Sequence, residues 1–331
     1  ALPSGAFAPY LIPMHKDPST MRDFQTTPNG TSLFFHVIGR NHKIRNYQLF
    51  IEAEFNGYGA RDFKLKNAYV MLNDWTVGLA TSSFSDPAAL PPTIDSQGPN
   101  ARMSYTPVLV RWSHQFKHGI SIGASLETPN CNADYTDGIT GKVNQWTPDI
   151  SAYIQYSWGA MQHVRLAGVF RNYPYRDLIN GTNHEVLGWG FHLSAVARPI
   201  QALTLYGSIN GGQGYASMAC DWLMGNYDLV NRPGMPGRMY APGAVSGFIA
   251  AQYHFRYDLS ASAMLGGARY LPHHGAPDDE YRGGTYIAIN AFYNLTPRIQ
   301  FGAEFNLGRR RNMDNTTAWG RRIGMLAQFS F

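Results

Sequence analysis

Six basic residues stand at alternate positions of strand-like stretches, where their charges could act together. They are Lys64, Lys66, Arg111, Arg165, Arg171 and Arg322. Successive side chains of a strand point to opposite faces, and this parity places all six on the polar, inward face of their strands. Ammonium and guanidinium groups donate charge-assisted hydrogen bonds that replace part of the hydration of a carboxylate. The pattern therefore predicts weak, reversible binding of small anions.

A smaller set of acidic residues shares these polar faces. It comprises Glu52, Glu54, Glu127 and Glu304 from the strands, with Asp86 and Asp95 from the loop 85–100. Opposed rows of bases and acids would create an electric field across the channel. For any single charged residue, an equal alternative is that it lies on a solvated lumen face and has no role in selectivity. Because the formal charge of the chain is +5, we expect the net field to attract anions.

The elements that must position these charges are β-strands. In the segment 147–159, for example, Ile150, Ile154 and Trp158 share one face, whereas Ser151 and Gln155 share the other. A period of two predicts a strand with one apolar and one polar face. We predict sixteen such strands, at 6–14 (interrupted by Pro9), 31–40, 43–56, 62–72, 75–84, 101–115, 119–128, 147–159, 162–173, 185–198, 202–211, 245–256, 258–270, 282–294, 298–309 and 318–331.

The connections between these strands alternate in length. Short turns are predicted at 41–42, 73–74, 117–118, 159–160, 199–200, near Tyr257 and at 295–297, with longer loops at 15–30, 57–61, 85–100, 129–146, 174–184, 212–244, 271–281 and 310–317. Short turns on one rim and long loops on the other are typical of outer-membrane barrels. An even number of strands would place both termini on the short-turn rim, the periplasmic side.

The composition fits such a barrel. Charged residues make up 15% of the chain, its mean hydropathy is −0.28, and no run approaches the eighteen apolar residues of a membrane-spanning helix. We therefore predict a single domain, 1–331, that is an all-β transmembrane antiparallel β-barrel. A soluble β-sandwich array or propeller is the alternative with a similar composition. No basic start followed by an apolar core stands at Ala1, so we interpret the chain as mature or trimmed.

The loop 85–100 is expected to fold inward and constrict the lumen. Its prolines, which include Pro87 and Pro99, stiffen the backbone, and Asp86 and Asp95 would face the passage. The alternative is a loop that stays outside the barrel. The loop 212–244 is expected to be a long extracellular loop.

The two cysteines, Cys131 and Cys220, both fall in long loops on the same predicted rim. Two separated cysteines suit either free thiols or one disulfide, and our hypothesis is a disulfide that joins the two loops. No basic run or recognition helix indicates a nucleic-acid partner. No catalytic or metal-ligating constellation stands out, so we expect neither an enzyme nor a bound cofactor or metal.

Two sets of residues resemble known membrane proteins. The last segment ends on Phe331 in a row with Ile323, Met325, Ala327 and Phe329, and this ending resembles the C-terminal strand of bacterial outer-membrane barrels. The segment 62–100, which ends in Ser-Gln-Gly-Pro-Asn, resembles the DcaP-like porins of Gram-negative bacteria. The segments 164–175, 188–198 and 294–315 are similar to later parts of that family.

The resemblance implies a trimeric sixteen-stranded diffusion channel in the bacterial outer membrane, in contact with lipid and favouring small anions such as dicarboxylates. Two departures stand beside it. Residues 1–17 show no heptads of the coiled coil that precedes the barrel in some members. Lys64 and Lys66 stand where many members have arginine, and lysine lacks the bidentate fork. The alternative function is a structural or adhesive barrel whose lumen is plugged by loops, with 212–244 carrying the partner contacts.

Overall fold

The structure is a computed structural model that describes residues 6–15, 17–19, 22–43, 45–55, 62–219, 221–222, 225–273 and 275–331. Its strands are β1 (Ser32–Asn41), β2 (Arg45–Phe55), β3 (Phe63–Leu72), β4 (Trp75–Leu79), β5 (Val108–Gln115), β6 (Ile120–Glu127), β7 (Thr140–Lys142), β8 (Asp149–Trp158), β9 (Gln162–Asp177), β10 (Thr182–Ile200), β11 (Leu203–Gln213), β12 (Val230–Asn231), β13 (Met239–Tyr240), β14 (Gly243–His254), β15 (Leu259–Leu271), β16 (Tyr281–Thr296), β17 (Ile299–Asn312) and β18 (Thr317–Phe329). Short 3-10 helices occupy Pro9–Leu11, Pro87–Ala89, Lys117–Gly119 and Ala216–Met218.

The long strands form one antiparallel sheet in which neighbours in the chain are neighbours in the sheet. The sheet has 16 strands, of which β7 is a short addition beside β9, and β12 and β13 form a separate ribbon in the loop after β11. Every strand predicted from 31–40 to 318–331 is present in this order. The agreement follows from the alternation of side chains, because the register pairs outward residues with outward residues, as in Ile154 with Leu166 of β8 and β9.

The predicted first strand at 6–14 is not formed. These residues instead make a 3-10 turn at Pro9–Leu11, and Phe7 and Ile12 are buried inside the molecule. Proline offers no N–H to a sheet ladder, which disfavours a strand here. The first described residues therefore lie inside the barrel rather than on the short-turn rim, and Ala1 is outside the described residues.

The connections alternate as the sequence predicts. Two residues separate β3 from β4, and two separate β16 from β17, whereas the loops after β4, β6 and β11 are much longer. The loop after β4 spans 80–107 rather than 85–100, because β4 ends at Leu79 and β5 begins only at Val108. The predicted loop 57–61 lies outside the described residues.

The two faces of the sheet differ in chemistry. On the convex face, Leu187, Ile249 and Ile323 are 75%, 65% and 73% exposed. A continuous exposed apolar surface of this kind is typical of a face that contacts lipid. No helix in the described part of the chain is long and apolar enough to span a membrane.

The sheet curves around the loop 80–107, which we call the constriction loop. The Ser82 hydroxyl donates to Glu127 of β6, and the Ile94 N–H donates to Glu304 of β17. β6 and β17 lie eight places apart in the order of the sheet, and one loop can contact both only if the sheet curves around it. The predicted barrel with an inward-folded loop is thus confirmed, since a loop outside the barrel could not make these contacts.

Candidate functional site: the constriction loop and its walls

The stem of the constriction loop is held by two buried carboxylates. Glu127 accepts hydrogen bonds from the Ser82 hydroxyl at 3.0 Å and from the Ser83 N–H at 3.1 Å. Asp86 accepts from His163 Nε2 at 2.8 Å and from the Ser194 hydroxyl at 2.6 Å. Burial raises the pKa of Asp86, but these two hydrogen bonds outweigh burial and bring the pKa below the ordinary value. Both carboxylates therefore anchor the loop to the wall.

The tip of the loop is held by Glu304 of β17. Its carboxylate accepts from the Ile94 and Asp95 N–H groups, each at 2.9 Å, and from the side-chain amides of Asn290 and Asn306 at 2.9 and 3.0 Å. The Asn290 amide also donates to the carbonyl of Pro92 at 2.8 Å. Because Glu304 is covered by the loop that it binds, it takes part in anchoring.

Asp95 is buried at the tip. It accepts from the Gln97 N–H at 3.1 Å and the Tyr286 hydroxyl at 3.0 Å, and Arg322 Nη1 lies 3.8 Å from Asp95 Oδ1. Burial raises the pKa of Asp95 to about 6, against the lowering effect of Arg322. Asp95 is thus protonated more readily than an exposed aspartate.

The sequence therefore predicts that these acids lie on the inner side of the barrel, as they do. It does not reveal that they are covered and so have no contact with an open passage. Glu127, Glu304, Asp86 and Asp95 are all buried, which corrects the expectation that they line the lumen. Of the loop prolines, Pro87 is exposed and Pro99 is buried.

Arg111 and Arg165 lie beside the stem of the loop, and both residues are partly exposed. Arg111 Nη1 donates to the carbonyl of Thr81 at 3.0 Å, and Arg165 Nη2 donates to the carbonyl of Ser83 at 2.8 Å. The guanidinium carbon of Arg165 lies 3.7 Å from the ring centre of Tyr153. Neither arginine forms an ion pair within the described residues, so each keeps its charge uncompensated by a directly bound carboxylate.

Lys66 and Lys64 differ from these arginines in having local acidic partners. Lys66 Nζ lies 3.3 Å from Glu52 and 2.9 Å from Glu54, so this group of three carries one more negative than positive charge. Lys64 Nζ lies 3.5 Å from Asp62, and both side chains are largely exposed. Glu52 and Glu54 thus remain partly exposed on the inner face of the barrel, where their charges compensate that of Lys66.

The predicted place of Arg171 on the lumen surface is wrong. Its side chain has no exposed area and lies 3.0 Å from Asp149 and 3.5 Å from Asp228, which are equally buried. It also donates to the Ser217 hydroxyl at 3.1 Å. Arg171 therefore ties the wall to the loop after β11. Arg322 keeps 22% of its side chain exposed beside the loop tip, and its place in the lumen remains a prediction.

Sequence reasoning missed Arg102, a partly exposed base on the returning limb of the constriction loop. Its Nη2 donates to the carbonyl of Ser96 at 2.7 Å. The predicted strand 101–115 contains this position, and parity with Arg111 would place Arg102 on the outer face. Since β5 begins at Val108, that parity does not extend back to residue 102.

The disulfide remains a prediction. Cys220 lies outside the described residues, and Cys131 is partly buried, which raises the pKa of its thiol to about 12. The two cysteine loops do meet, because Asp228 accepts from the N–H groups of Asn132 at 3.0 Å and Ser217 at 2.9 Å. Among the described residues, no group of three His, Cys, Asp or Glu side chains is placed to hold a metal ion.

Comparison with solved structures finds the same fold in outer-membrane channels. The outer membrane channel DcaP of Acinetobacter baumannii superposes with a TM-score of 0.80 at 17% identity, covering 92% of this chain and 86% of that one. OmpT of Vibrio cholerae in its trimer form gives 0.56 at 11% identity, covering 90% of each chain. An anion-selective porin from Comamonas acidovorans gives 0.54 at 11% identity, covering 90% of this chain and 85% of that one.

Neither a protein-family model nor a curated protein sequence matches the chain. Identities this low establish the fold alone. The fold is that of a porin barrel with a loop inside it, and the chemistry of the passage must be argued from the side chains described above.

Proposed function

We propose that this protein is a porin of the bacterial outer membrane that lets small hydrophilic solutes diffuse passively and favours anions such as dicarboxylates. The observation that carries the proposal is the arrangement of charge at the constriction loop. The acids of this region are buried as anchors, whereas Arg111 and Arg165 keep their charges at the partly exposed surface beside the stem.

The field at this constriction favours anions for a physical reason. A passage with low-dielectric walls concentrates the field of its charges and raises the local concentration of counter-ions. Lys66 adds no net positive charge to that field, because Glu52 and Glu54 together exceed its charge by one. The arginine pair and Arg102 are the bases beside the loop that have no such partner among the described residues.

The spacing of the arginine pair suits a substrate with two carboxylates. The two guanidinium groups bind carbonyls of Thr81 and Ser83, which an extended chain separates by at most about 7 Å. One carboxylate can then exchange hydration for hydrogen bonds with each arginine. Such binding must stay weak, because a tightly held solute would block the flow.

Membrane location and assembly are part of the proposal. The apolar convex face is suited to lipid, and the fold is shared with proteins described as outer-membrane channels. We propose a homotrimer, supported by the trimer form of the Vibrio cholerae protein of the same fold.

A plugged, non-conducting barrel is the second candidate, and one observation favours it. The loop after β11 buries Trp222 completely and Tyr227 almost completely, so part of the interior on that side is filled. Current across a planar bilayer separates the two candidates directly, because a structural or adhesive barrel with a plugged lumen would carry none.

Replacing Arg111 and Arg165 together with glutamine is expected to move the reversal potential in a salt gradient toward that of a cation-preferring channel. Succinate flux into liposomes should fall by about tenfold, the lower end of what a focused field contributes. The physical reason is the loss of both uncompensated charges beside the stem, with side-chain length and polarity largely kept.

The matched control replaces Arg198 and Arg256 with glutamine. Both are exposed at short turns, so this variant removes the same net charge away from the constriction and should behave like the wild type. A wild-type channel that already prefers potassium over chloride would contradict the anion preference while leaving the porin function intact.

A further inference from the structure

Residues 6–12, which we call the luminal segment, lie in a groove on the inner face of β16 to β18. Ala6, Phe7 and Ile12 are almost completely buried. Three glycines line the groove: a Cβ atom added at Gly284 would lie 2.4 Å from Pro9, one at Gly308 would lie 2.8 Å from Phe7, and one at Gly320 would lie 3.1 Å from Ile12. The wall is thus shaped to admit this segment, since a larger residue at any of these positions would collide with it or crowd it.

Polar contacts bind the luminal segment to both interior loops. The Phe7 N–H donates to Asp95 Oδ1 of the constriction loop at 2.8 Å. The Tyr10 N–H donates to Asp221 Oδ1, in the loop after β11, at 3.3 Å. From the wall, Arg310 Nη1 donates to the carbonyl of Tyr10 at 2.7 Å. One short segment therefore joins the tip of the constriction loop, the loop above it and the barrel wall.

Aromatic packing completes the site. The Tyr10 ring stands edge-on to the rings of Tyr227 and Tyr281, with centres 5.9 and 5.2 Å away. Phe7 lies 6.2 Å from the ring of Tyr286, whose hydroxyl also binds Asp95. The segment and the loop tip thus share partners on β16, so that displacing one removes support from the other.

We propose that the luminal segment is a second pore-narrowing element: its docking in the glycine groove fixes the tip of the constriction loop, and its release widens the passage. This inference rests on the proposed channel function. It assigns the size limit of the pore to two pieces of chain, the constriction loop and the luminal segment.

The docking should depend on pH, because the N–H groups of Phe7 and Tyr10 each donate to a buried carboxyl group, that of Asp95 and that of Asp221. Asp95 faces Arg322 and Tyr286, and Glu304 binds the backbone beside it; Asp221 faces Tyr281 and Arg310. Burial raises the pKa of both carboxyls to about 6.

Release of the segment would admit water and return each pKa toward its ordinary value near 4. The docked state therefore binds protons more readily, so docking is strongest below about pH 4 and weakens as the pH rises through 6. We expect a smaller single-channel conductance at pH 4.5 than at pH 7.5. In Asp95→Asn/Asp221→Asn, this difference should shrink.

The direct test fills the groove with Gly308→Leu and Gly320→Val. Bilayer conductance should rise by roughly half, since displacing the segment removes from one wall a layer about as thick as the spacing of packed sheets, ~10 Å. The matched control is Gly207→Val on β11, where an added Cβ meets nothing within 4 Å, and it should conduct like the wild type. Heat-modifiable gel mobility would show that each variant is folded.

A second variant locks the segment in place. The variant is Ile12→Cys with Gly320→Cys, in a chain whose Cys131 and Cys220 are serine. A Cβ atom added at Gly320 would lie 3.1 Å from Cγ1 of Ile12, so the two side chains are close enough for a disulfide to be attempted. The cross-link should form and leave conductance at the wild-type level. Failure to cross-link in folded protein, or a folded groove-filled variant that conducts like the wild type, would overturn the inference.

The channel function and the segment can fail separately. A wild type without current whose groove-filled variant conducts would refute a constitutively open porin and support the luminal segment as a plug. Absence of current from both would refute both proposals.

Discussion

Replacing Arg171 with methionine is expected to lower the free energy of unfolding by about 3–5 kcal/mol, the range found when one partner of a buried ion pair is removed. Asp149 and Asp228 would then be two buried carboxylates without their cation. Because Arg171 also binds Ser217, the loop after β11 should become susceptible to protease. Urea unfolding in detergent micelles measures the first effect, and limited proteolysis measures the second.

The control for this prediction removes the stranded charges as well. Arg171→Met combined with Asp149→Asn and Asp228→Asn should recover part of the lost stability, since neutral replacement of a buried ionic group costs less than breaking it. A single variant as stable as the wild type would show that the buried charges do not hold the loop.

Replacing Glu304 with leucine is expected to detach the tip of the constriction loop. The variant leaves the N–H groups of Ile94 and Asp95 without the carboxylate that accepts from them, and each lost hydrogen bond to a charged group costs about 1.5–3 kcal/mol. Leucine cannot replace these bonds. We expect a larger and noisier single-channel conductance, by roughly a factor of two for a sixteen-stranded barrel that otherwise leaves an aqueous channel.

Glu54→Leu is the matched control for Glu304→Leu. Glu54 lies on the same inner side but pairs with Lys66 rather than with the loop, so its removal should leave the noise unchanged. A folded Glu304→Leu channel with the wild-type conductance trace would contradict the anchoring role of Glu304.

These experiments separate the pieces that narrow the passage. Glu304→Leu frees the loop tip from the wall, and groove filling displaces the luminal segment. Because Phe7 and Tyr286 both bind Asp95, the two changes should not act independently. Variants of residues in contact commonly depart from additivity by 0.5–3 kcal/mol.

Strand order, the inward face and the inward loop could all be predicted from the sequence. Alternation of side chains is a local property, and a wall between lipid and water imposes it on every strand, as β8 shows with Ile150 outside and Ser151 inside. Alternating connection lengths then determined that neighbours in the chain would be neighbours in the sheet.

What parity cannot reveal is what covers the inner face. Arg165 and Arg171 are six residues apart and therefore lie on the same face of β9. Arg165 is partly exposed beside the constriction loop, whereas Arg171 is buried beneath the loop after β11. Only the tertiary structure decides between an exposed charge and a buried one, because burial depends on segments that are distant in sequence.

The position of the luminal segment was likewise decided by the tertiary structure and not by its own sequence. Its sequence predicts a strand at 6–14 but not where the segment docks, and the docked residues form a 3-10 turn instead of that strand. The groove that receives it exists only when Gly284, Gly308 and Gly320 come together on neighbouring strands. The sequence by itself thus determined a barrel wall with charged inner faces. The tertiary structure decided which of those charges meet the passage, because loops and the luminal segment fold over the rest.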